Sequence, residues 1–400
     1  QQFIYDQPGS LASWQDLGQW SHRLLETASD LPVTEKVRLR ALVEDIPEAD
    51  MLERVKRIYH FVQDETRYIN VTIDNGGLKP YPASYVARNK YGDCKALSNY
   101  MRTALDAVGI EAYYSKIFAG SPIQRVDQTL PSSQFNHIIV CVPIQEDTLW
   151  LDCTSKGPFD YQGTFIQNRQ ALVVADGNSH FQWVPALSPE DVQRIRSVVI
   201  QPLTGGKTTA QFRQVYRGDD FEKLDYISRN YAGTDLRKRL RQYFVPGTWT
   251  PNDELEVKRS GRDARMLTLT YKAETRQGFK KYGPEQLMRL MPFELPEFEA
   301  PAQRHQPVQM DYPISQTDTL QYYFPEGTRP SSWPENIEIE SPFGRYTLQA
   351  ELLDDHVRII KSCLIYSGTY DMETYPAFYA FLQSIAKQES GAYIVVDSRS

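Results

Sequence analysis

The chain has 400 residues, of which 41% are hydrophobic and 24% are charged, and its formal net charge is −7 at neutral pH. These fractions are close to globular averages and exclude disordered and fibrous classes, while the length favours two or three domains. The modest charge, with no long Lys or Arg run, argues against nucleic acid or an anionic membrane as the main partner. No apolar run approaches the about 18 residues of a membrane-spanning helix.

The start of the chain, QQFIYDQPGS, has neither an initiator Met nor a signal-peptide pattern, so we expect a trimmed chain. The four cysteines are Cys94, Cys141, Cys153 and Cys363. Their spacing matches no zinc or disulfide framework. We therefore expect no metal, no cofactor and no disulfide-dependent fold, and the sequence leaves the oligomeric state open.

The N-terminal residues 1–34 show no clear periodicity, and we interpret them as the tail of a preceding domain or a linker. In 50–63 the apolar residues recur on one helical face, and Asp50 before Glu53 is typical of a helix start. Glycine and proline residues predict a loop over 74–84.

The stretch YGDCKALSNYMRTALDAVGI, residues 91–110, predicts a helix that has Cys94 in its first turn and stops at Gly109. A thiol at a helix N-terminus lies among unpaired backbone N–H groups and the positive end of the helix dipole, which stabilise the thiolate. Because cysteine is also a common buried residue, a catalytic interpretation of Cys94 requires a base and an orienting group.

His137 and Asp152 are the candidates for these two roles. His137 opens the predicted strand NHIIVCV, and Asp152 lies in the next predicted strand, TLWLDCTS, where an acid among apolar residues needs a partner. A hairpin with its turn at 143–147 can place residues 137 and 152 opposite each other. The carboxylate then accepts a hydrogen bond from one imidazole nitrogen while the other nitrogen faces the thiol. The same register turns Cys141 and Cys153 to opposite faces and argues against a disulfide.

The structural alternatives are that His137 is a core or strand-end histidine whose hydrogen bond is already made, and that Asp152 is a turn or cap residue. A catalytic site is favoured when the three residues are taken together, because a cysteine on a helix is followed by a histidine on a strand and an acid on the next strand.

Helices followed by antiparallel strands predict an α+β domain over 35–190. Beyond it we predict a β-rich region with a helical interlude, 191–300, and a β-sandwich-like domain, 301–400, because short strands alternate with turn residues. A proline-rich segment at 292–313 is interpreted as a linker.

The segments YGDCKALS, FNHIIVCV and LWLDCTS resemble the three motifs of the bacterial transglutaminase-like superfamily, which has a papain-type fold. The resemblance covers roughly 35–190. It implies Cys94 as nucleophile, His137 as base and then acid, and Asp152 as the orienting partner. It also implies a protein or peptide substrate, a secreted, periplasmic or cell-envelope location and a missing N-terminal domain.

Two further points depend on this resemblance. By analogy with upstream donors in papain-like enzymes, Gln63 is a candidate side-chain donor to the oxyanion, beside the backbone N–H of Cys94. The sequence departs from its relatives where Ala96 and Leu97 replace a second acid after the Cys-Lys pair. This departure affects none of the three proposed catalytic positions.

Three functions are compatible with these residues. The first is a thiol hydrolase that acts on peptide or isopeptide bonds through an acyl-enzyme. The second is acyl transfer from glutamine to an amine, which shares the first half-reaction. The third is a noncatalytic carbohydrate- or protein-binding module on the triad scaffold, and the presence of all three residue types argues against it.

Overall fold

A computed structural model describes residues 2–4, 7–70, 77–203, 207–252, 254–283 and 285–398. The chain divides into two compact units, Gln1–Ala186 and Leu187–Ser400, close to the boundary that the sequence predicts at 190. Within the described ranges, every helix is too short or too polar to cross a bilayer.

The first unit contains most of its helices before its main strands. Its helices and strands are β1 (Gln2–Ile4), β2 (Gln7–Gly9), α1 (Trp14–Glu26), α2 (Val33–Ala41), α3 (Met51–Glu65), β3 (Arg67–Tyr68), α4 (Ala83–Asn89), β4 (Tyr91–Gly92), α5 (Cys94–Asp106), β5 (Tyr113–Ile117), β6 (His137–Ile144), β7 (Asp147–Leu151), α6 (Gly163–Ile166), β8 (Arg169–Val174) and β9 (His180–Val184).

Strands β5 to β9 form one antiparallel sheet in the order β7-β6-β5-β8-β9. Val140 and Val142 of β6 contribute to the core that also contains helices α3, α4 and α5. The alternate residues Ile139 and Cys141 pack with Trp150 in a second cluster. Because side chains alternate along a strand, the apolar run of β6 buries both of its faces.

The predicted helix starts at α3 and α5 are observed as side-chain caps. Asp50 Oδ1 accepts a hydrogen bond from the Glu53 amide at 3.2 Å, and Asp93 Oδ1 accepts one from the Ala96 amide at 3.0 Å. Beyond the end of α5, Gly109 has a φ of +75°, a left-handed conformation that glycine adopts without steric cost. Caps at both helix ends therefore explain why the cysteine helix spans the predicted residues.

The predicted loop over 74–84 is observed in part. Residues 74–76 lie outside the described residues, and residues 77–82 contain no helix or strand. Helix α4 begins at Ala83, which the sequence analysis did not predict. With seven residues, α4 is too short to show a helical period.

The hairpin of β6 and β7 has a register two residues away from the predicted one. Cys141 pairs with Trp150, because the turn contains only residues 145–146. The predicted direct pairing of His137 with Asp152 is therefore wrong. A shift by two residues keeps the same side-chain face, so Asp152 becomes a diagonal neighbour of His137, still within reach of a side chain.

Residues 1–34 belong to the first unit, whereas the sequence analysis separates them as a tail or linker. Helix α1 buries Leu17, Trp20 and Leu24 in a cluster with Leu172 of β8. An amphipathic helix shows that it has a buried face, but its own sequence does not show which surface covers that face. The difference from the prediction therefore comes from tertiary packing.

The second unit is rich in strands. It contains β10 (Arg194–Pro202), β11 (Thr208–Tyr216), α7 (Gly218–Asn230), α8 (Gly233–Phe244), β12 (Thr250–Pro251), β13 (Glu256–Lys258), β14 (Leu267–Thr275), β15 (Lys280–Tyr282), β16 (Glu285–Arg289), a 3-10 turn (Pro301–Gln303), β17 (Val308–Met310), β18 (Ile314–Tyr323), β19 (Thr328–Ser332), β20 (Ile337–Ser341), β21 (Gly344–Leu352), β22 (His356–Ile365), β23 (Gly368–Tyr370), α9 (Tyr375–Gly391) and β24 (Tyr393–Ser398).

One nine-stranded sheet joins the two regions that the sequence analysis separates at residue 300. Its order is β12-β14-β11-β10-β18-β22-β21-β20, with β13 paired to β14. Strand β10 pairs in parallel with β18, so 191–300 and 301–400 share a sheet instead of forming separate domains. Pairing between strands so distant in sequence leaves no local signal. A four-stranded sheet, β15-β16-β24-β19, lies in the same unit, and the sandwich-like packing stays a prediction.

Candidate active site

The thiol of Cys94 lies at the first residue of α5 and is partly exposed. It packs against a cluster of Leu25, Tyr114, Ile138 and Val174. The preceding Asp93 is buried and caps the helix, and its second carboxylate oxygen accepts a hydrogen bond from Lys95 Nζ at 2.5 Å. The caps and the apolar cluster therefore fix the helix start that carries the thiol.

His137 and Asp152 form a buried pair. The distance between His137 Nε2 and Asp152 Oδ2 is 3.2 Å, and the two residues are only 8% and 7% exposed. The other carboxylate oxygen, Oδ1, accepts hydrogen bonds from the Thr154 amide at 2.9 Å and the Thr154 hydroxyl at 2.6 Å. Cys94 also lies close enough to His137 to raise the pKa of the imidazole. The structure thus pairs His137 with Asp152, and the three-residue triad stays a prediction.

Opposing effects set the charge of the pair. Burial lowers the pKa of His137, but the Asp152 carboxylate and the nearby Cys94 outweigh burial and raise that pKa to about 10. Burial raises the pKa of Asp152, and the His137 ring and the Thr154 donors reverse this effect and lower it. A protonated imidazole beside an ionised carboxylate is therefore the favoured state around neutral pH.

Gln63 has a structural role instead of the predicted role as an oxyanion donor. Its side-chain amide nitrogen donates to the carbonyl of Ser155 at 3.1 Å and to that of Gly157 at 2.9 Å. An amide nitrogen has two N–H donors, so both are used to hold the loop that follows Asp152. The Tyr59 hydroxyl also donates to the Asp152 carbonyl at 3.0 Å. Helix α3 thereby positions the acid.

Two aromatic residues at the site were missed by the sequence analysis. Tyr68 is 46% exposed. In the parallel pairing of strands β3 and β4 it lies opposite Gly92, two positions before Cys94. Partial burial raises the pKa of Tyr68, and the charges of Cys94, Asp93 and Asp152 raise it further.

The second aromatic residue is Phe165, which is 47% exposed and contacts the His137 ring edge to face at 5.3 Å. The two-residue strand β3 and the four-residue helix α6 that carry these side chains are too short to give a periodic signal.

The other three cysteines are free and buried. Burial raises the pKa of Cys141 to about 12 and that of Cys363 to about 12, and it also raises the pKa of Cys153. Cys141 and Cys153 belong to different clusters on opposite faces of the sheet, as the sequence analysis expects. Cys94 is therefore the one accessible thiol among the described residues.

The sequence family of this region follows from a comparison with family models. The model of the transglutaminase-like superfamily matches residues 40–153, a segment that contains Cys94, His137 and Asp152. Residues 40–153 form a transglutaminase-like domain. A second model, for a domain of unknown function called DUF3858, matches residues 284–395 downstream of it. The predicted transglutaminase-like domain with a strand-rich C-terminal region is thereby confirmed.

A solved structure from Parabacteroides distasonis, described as a "putative protease", is similar to the chain with a TM-score of 0.53 and 13% identity. The match covers 95% of this chain and 58% of that one, so this chain spans less than two thirds of that protein. At this identity the similarity shows a common fold only. No curated protein matches the chain. The match to the transglutaminase-like superfamily supports a papain-like thiol enzyme at the level of the family.

Proposed function

We propose that the transglutaminase-like domain is a thiol hydrolase that cleaves peptide or isopeptide bonds. Cys94 is the nucleophile, His137 is the base and then the acid, and Asp152 orients the imidazole. The observation that carries this proposal is the buried His137–Asp152 pair, together with Cys94, the only accessible thiol of the described chain, whose proximity raises the pKa of His137. The similar protein from Parabacteroides distasonis, described as a "putative protease", agrees with it.

The geometry gives each group a defined task. Nε2 of His137 is hydrogen-bonded to Asp152. The other ring nitrogen, Nδ1, is therefore the one that can accept the thiol proton. The Cys94 thiolate attacks the substrate carbonyl carbon, and the imidazolium gives its proton to the leaving nitrogen as the C–N bond breaks. His137 then accepts a proton from water as the water oxygen attacks the thioester carbonyl carbon. The C–S bond breaks, which releases the acid product and leaves the Cys94 thiolate beside the protonated His137.

The developing negative charge on the carbonyl oxygen needs donors. A helix leaves its first backbone N–H groups without intrahelical partners. In α5, the Ala96 amide donates to the Asp93 carboxylate. The amides of Cys94 and Lys95 can therefore donate to the oxyanion. We assign the side-chain donor to Tyr68, since its hydroxyl lies within electrostatic range of Cys94 and Asp152 and Gln63 is occupied.

We expect Tyr68→Phe to lower kcat by about 10²-fold, the usual cost of losing one oxyanion donor, with little change in KM. Alkylation of Cys94 by iodoacetamide is expected to stay unchanged, because that reaction forms no oxyanion. Tyr91→Phe is the matched control, since the Tyr91 hydroxyl is already paired with Tyr85 at 2.6 Å. A kcat within twofold of the parent value would remove Tyr68 from the mechanism.

Hydrolysis and transfer share the thioester and differ in what attacks it. The test incubates casein with the full chain in the presence and absence of dansylcadaverine, and follows both peptide release and dye incorporation. We expect peptide release that depends on Cys94, with little incorporation of the dye. Incorporation without cleavage would establish acyl transfer instead.

The absence of both products would contradict hydrolysis of this substrate class if Cys94 also fails to react with iodoacetamide faster than free cysteine near pH 6. In that case the binding-module interpretation would be favoured.

A further inference from the structure

A cavity lies in the Leu187–Ser400 unit, and its lining contains no residue of the proposed triad. Its volume is about 400 Å³, and residues of the nine-stranded and the four-stranded sheets of that unit line it. This volume is within the range of sites that bind small molecules, roughly 300 to 1,000 Å³. The lining residues that matter for the argument are Arg196, Trp249, Lys280, Arg289, Tyr322 and Tyr393.

Positive charge at this cavity is not balanced. The side chains of Lys280 and Arg289 have no ion pair and no hydrogen bond in the part of the chain that the structure describes, and both are exposed. The acid that also lines the cavity, Glu294, lies 3.6 Å from the guanidinium of Arg194. In a chain with a net charge of −7, two free cations at one cavity favour an anionic ligand.

Aromatic rings provide the apolar part of the wall. Trp249 is held edge to face against Phe212 at 5.4 Å, and Tyr322 is buried with its hydroxyl accepting the Met291 amide at 2.8 Å. Tyr393 is 40% exposed and is the strand partner of Arg289. A flat ring can pack against such a wall, so the ligand combines a negative group with an apolar ring.

Buried charges fix one side of the cavity. Lys361 Nζ donates to the Met291 carbonyl at 2.7 Å and lies 2.7 Å from Glu389, which accepts the Phe293 amide at 2.8 Å. Arg196 forms a second buried ion pair, in which its Nε donates to Asp318 Oδ1 at 3.0 Å. The same guanidinium also donates to the carbonyl of Pro292 at 2.8 Å.

Such buried pairs contribute little net stability compared with apolar replacements. Here they fix the backbone of 291–293 through several hydrogen bonds. This side of the cavity is therefore already ordered, and a ligand does not pay the entropy cost of ordering it.

We propose that this cavity is a binding site for a small carboxylate with a flat apolar ring. Arg289 and Lys280 bind the carboxylate, and the ring packs against Trp249 and Tyr322. Arginine suits this role because its planar guanidinium matches a carboxylate with two parallel hydrogen bonds. The site is independent of the thiol chemistry of the first unit.

The test uses 4-phenylbutyrate as probe and 4-phenylbutan-1-ol as its neutral counterpart, each titrated into the full chain and followed by saturation-transfer NMR and tryptophan fluorescence. We expect saturable binding of the acid, at least about tenfold tighter than that of the alcohol, which is the size of one charge-assisted contact. The double variant Lys280→Gln, Arg289→Gln is expected to lose this tenfold preference.

Lys207→Gln is the matched control, because Lys207 is a lysine of the same unit that pairs with Glu274 outside the cavity. It is expected to bind the acid as the parent does. Equal binding of acid and alcohol, or equal weakening by the control, would overturn the proposal. Thermal unfolding of each variant checks the fold, and Cys94→Ser should bind the acid normally, so this proposal and the proposed hydrolase can fail separately.

Discussion

Replacing Cys94 with serine is expected to reduce casein hydrolysis by at least about 10⁴-fold, the scale seen when the nucleophile of a triad is removed. The reason is that serine in the same position has a hydroxyl, which gives up its proton far less readily than a thiol. Initial rates of peptide release at saturating casein measure this effect. The expected loss is in kcat, because the groups that bind the substrate are unchanged.

Cys141→Ser is the matched control for this substitution. Cys141 is a buried thiol in the same unit, 2% exposed, and its pKa is raised to about 12 by burial. Its replacement should leave kcat close to the parent value. Mass spectrometry after brief iodoacetamide treatment of the native chain should find one label, at Cys94. A Cys94→Ser protein that retains more than a tenth of the parent activity would exclude Cys94 as the nucleophile.

Asp152→Asn is expected to lower kcat by about 10² to 10⁴-fold, as removal of the orienting acid does in other triads. The two Thr154 donors bind Oδ1, so asparagine must keep its carbonyl oxygen there and turn its NH₂ group towards His137 Nε2. That nitrogen then has to accept a hydrogen bond, and the ring proton moves to the nitrogen that should receive the thiol proton. The variant is therefore fixed in the unproductive tautomer.

The same substitution should also change the charge of the His137 ring. With a neutral partner, burial of His137 is no longer outweighed, so its pKa falls from about 10 and the imidazolium is lost at lower pH. Alkylation of Cys94 near pH 6 should slow by about tenfold as the thiolate loses its counter-ion. Asp147→Asn, an exposed change on the same hairpin, should alter neither measurement. Unchanged kcat and alkylation in Asp152→Asn would show that the acid does not orient the base.

Much of the first unit could be predicted because its signals are local. The caps at Asp50 and Asp93 and the glycine at Gly109 define helices over a few residues. The hairpin of β6 and β7 was predicted to the correct face but two residues out of register, because the tight turn at 145–146 cannot be distinguished from a longer one in the polar run. Because side chains alternate with a period of two, a register error of two residues keeps each side chain on the same face. His137 therefore still contacts Asp152.

The parts that could not be predicted depend on contacts between distant segments. The covering of the sheet by α1, the parallel pairing of β10 with β18 and the cavity lined by two sheets have no local pattern that specifies them. Gln63 was assigned to the oxyanion by analogy, whereas the loop carbonyls of Ser155 and Gly157 occupy its amide. Tyr68 is positioned by a two-residue strand that carries no periodic signal.

By itself, the sequence determined the helix that carries Cys94, the strands that carry His137 and Asp152, and the transglutaminase-like family, because caps, period and motif are properties of neighbouring residues. Only the tertiary structure decided which ring nitrogen faces the acid, that Thr154 fixes the carboxylate and that Gln63 supports a loop. These features depend on distances of about 3 Å between groups far apart in the chain, and a hydrogen bond at that distance exists only after the core has packed.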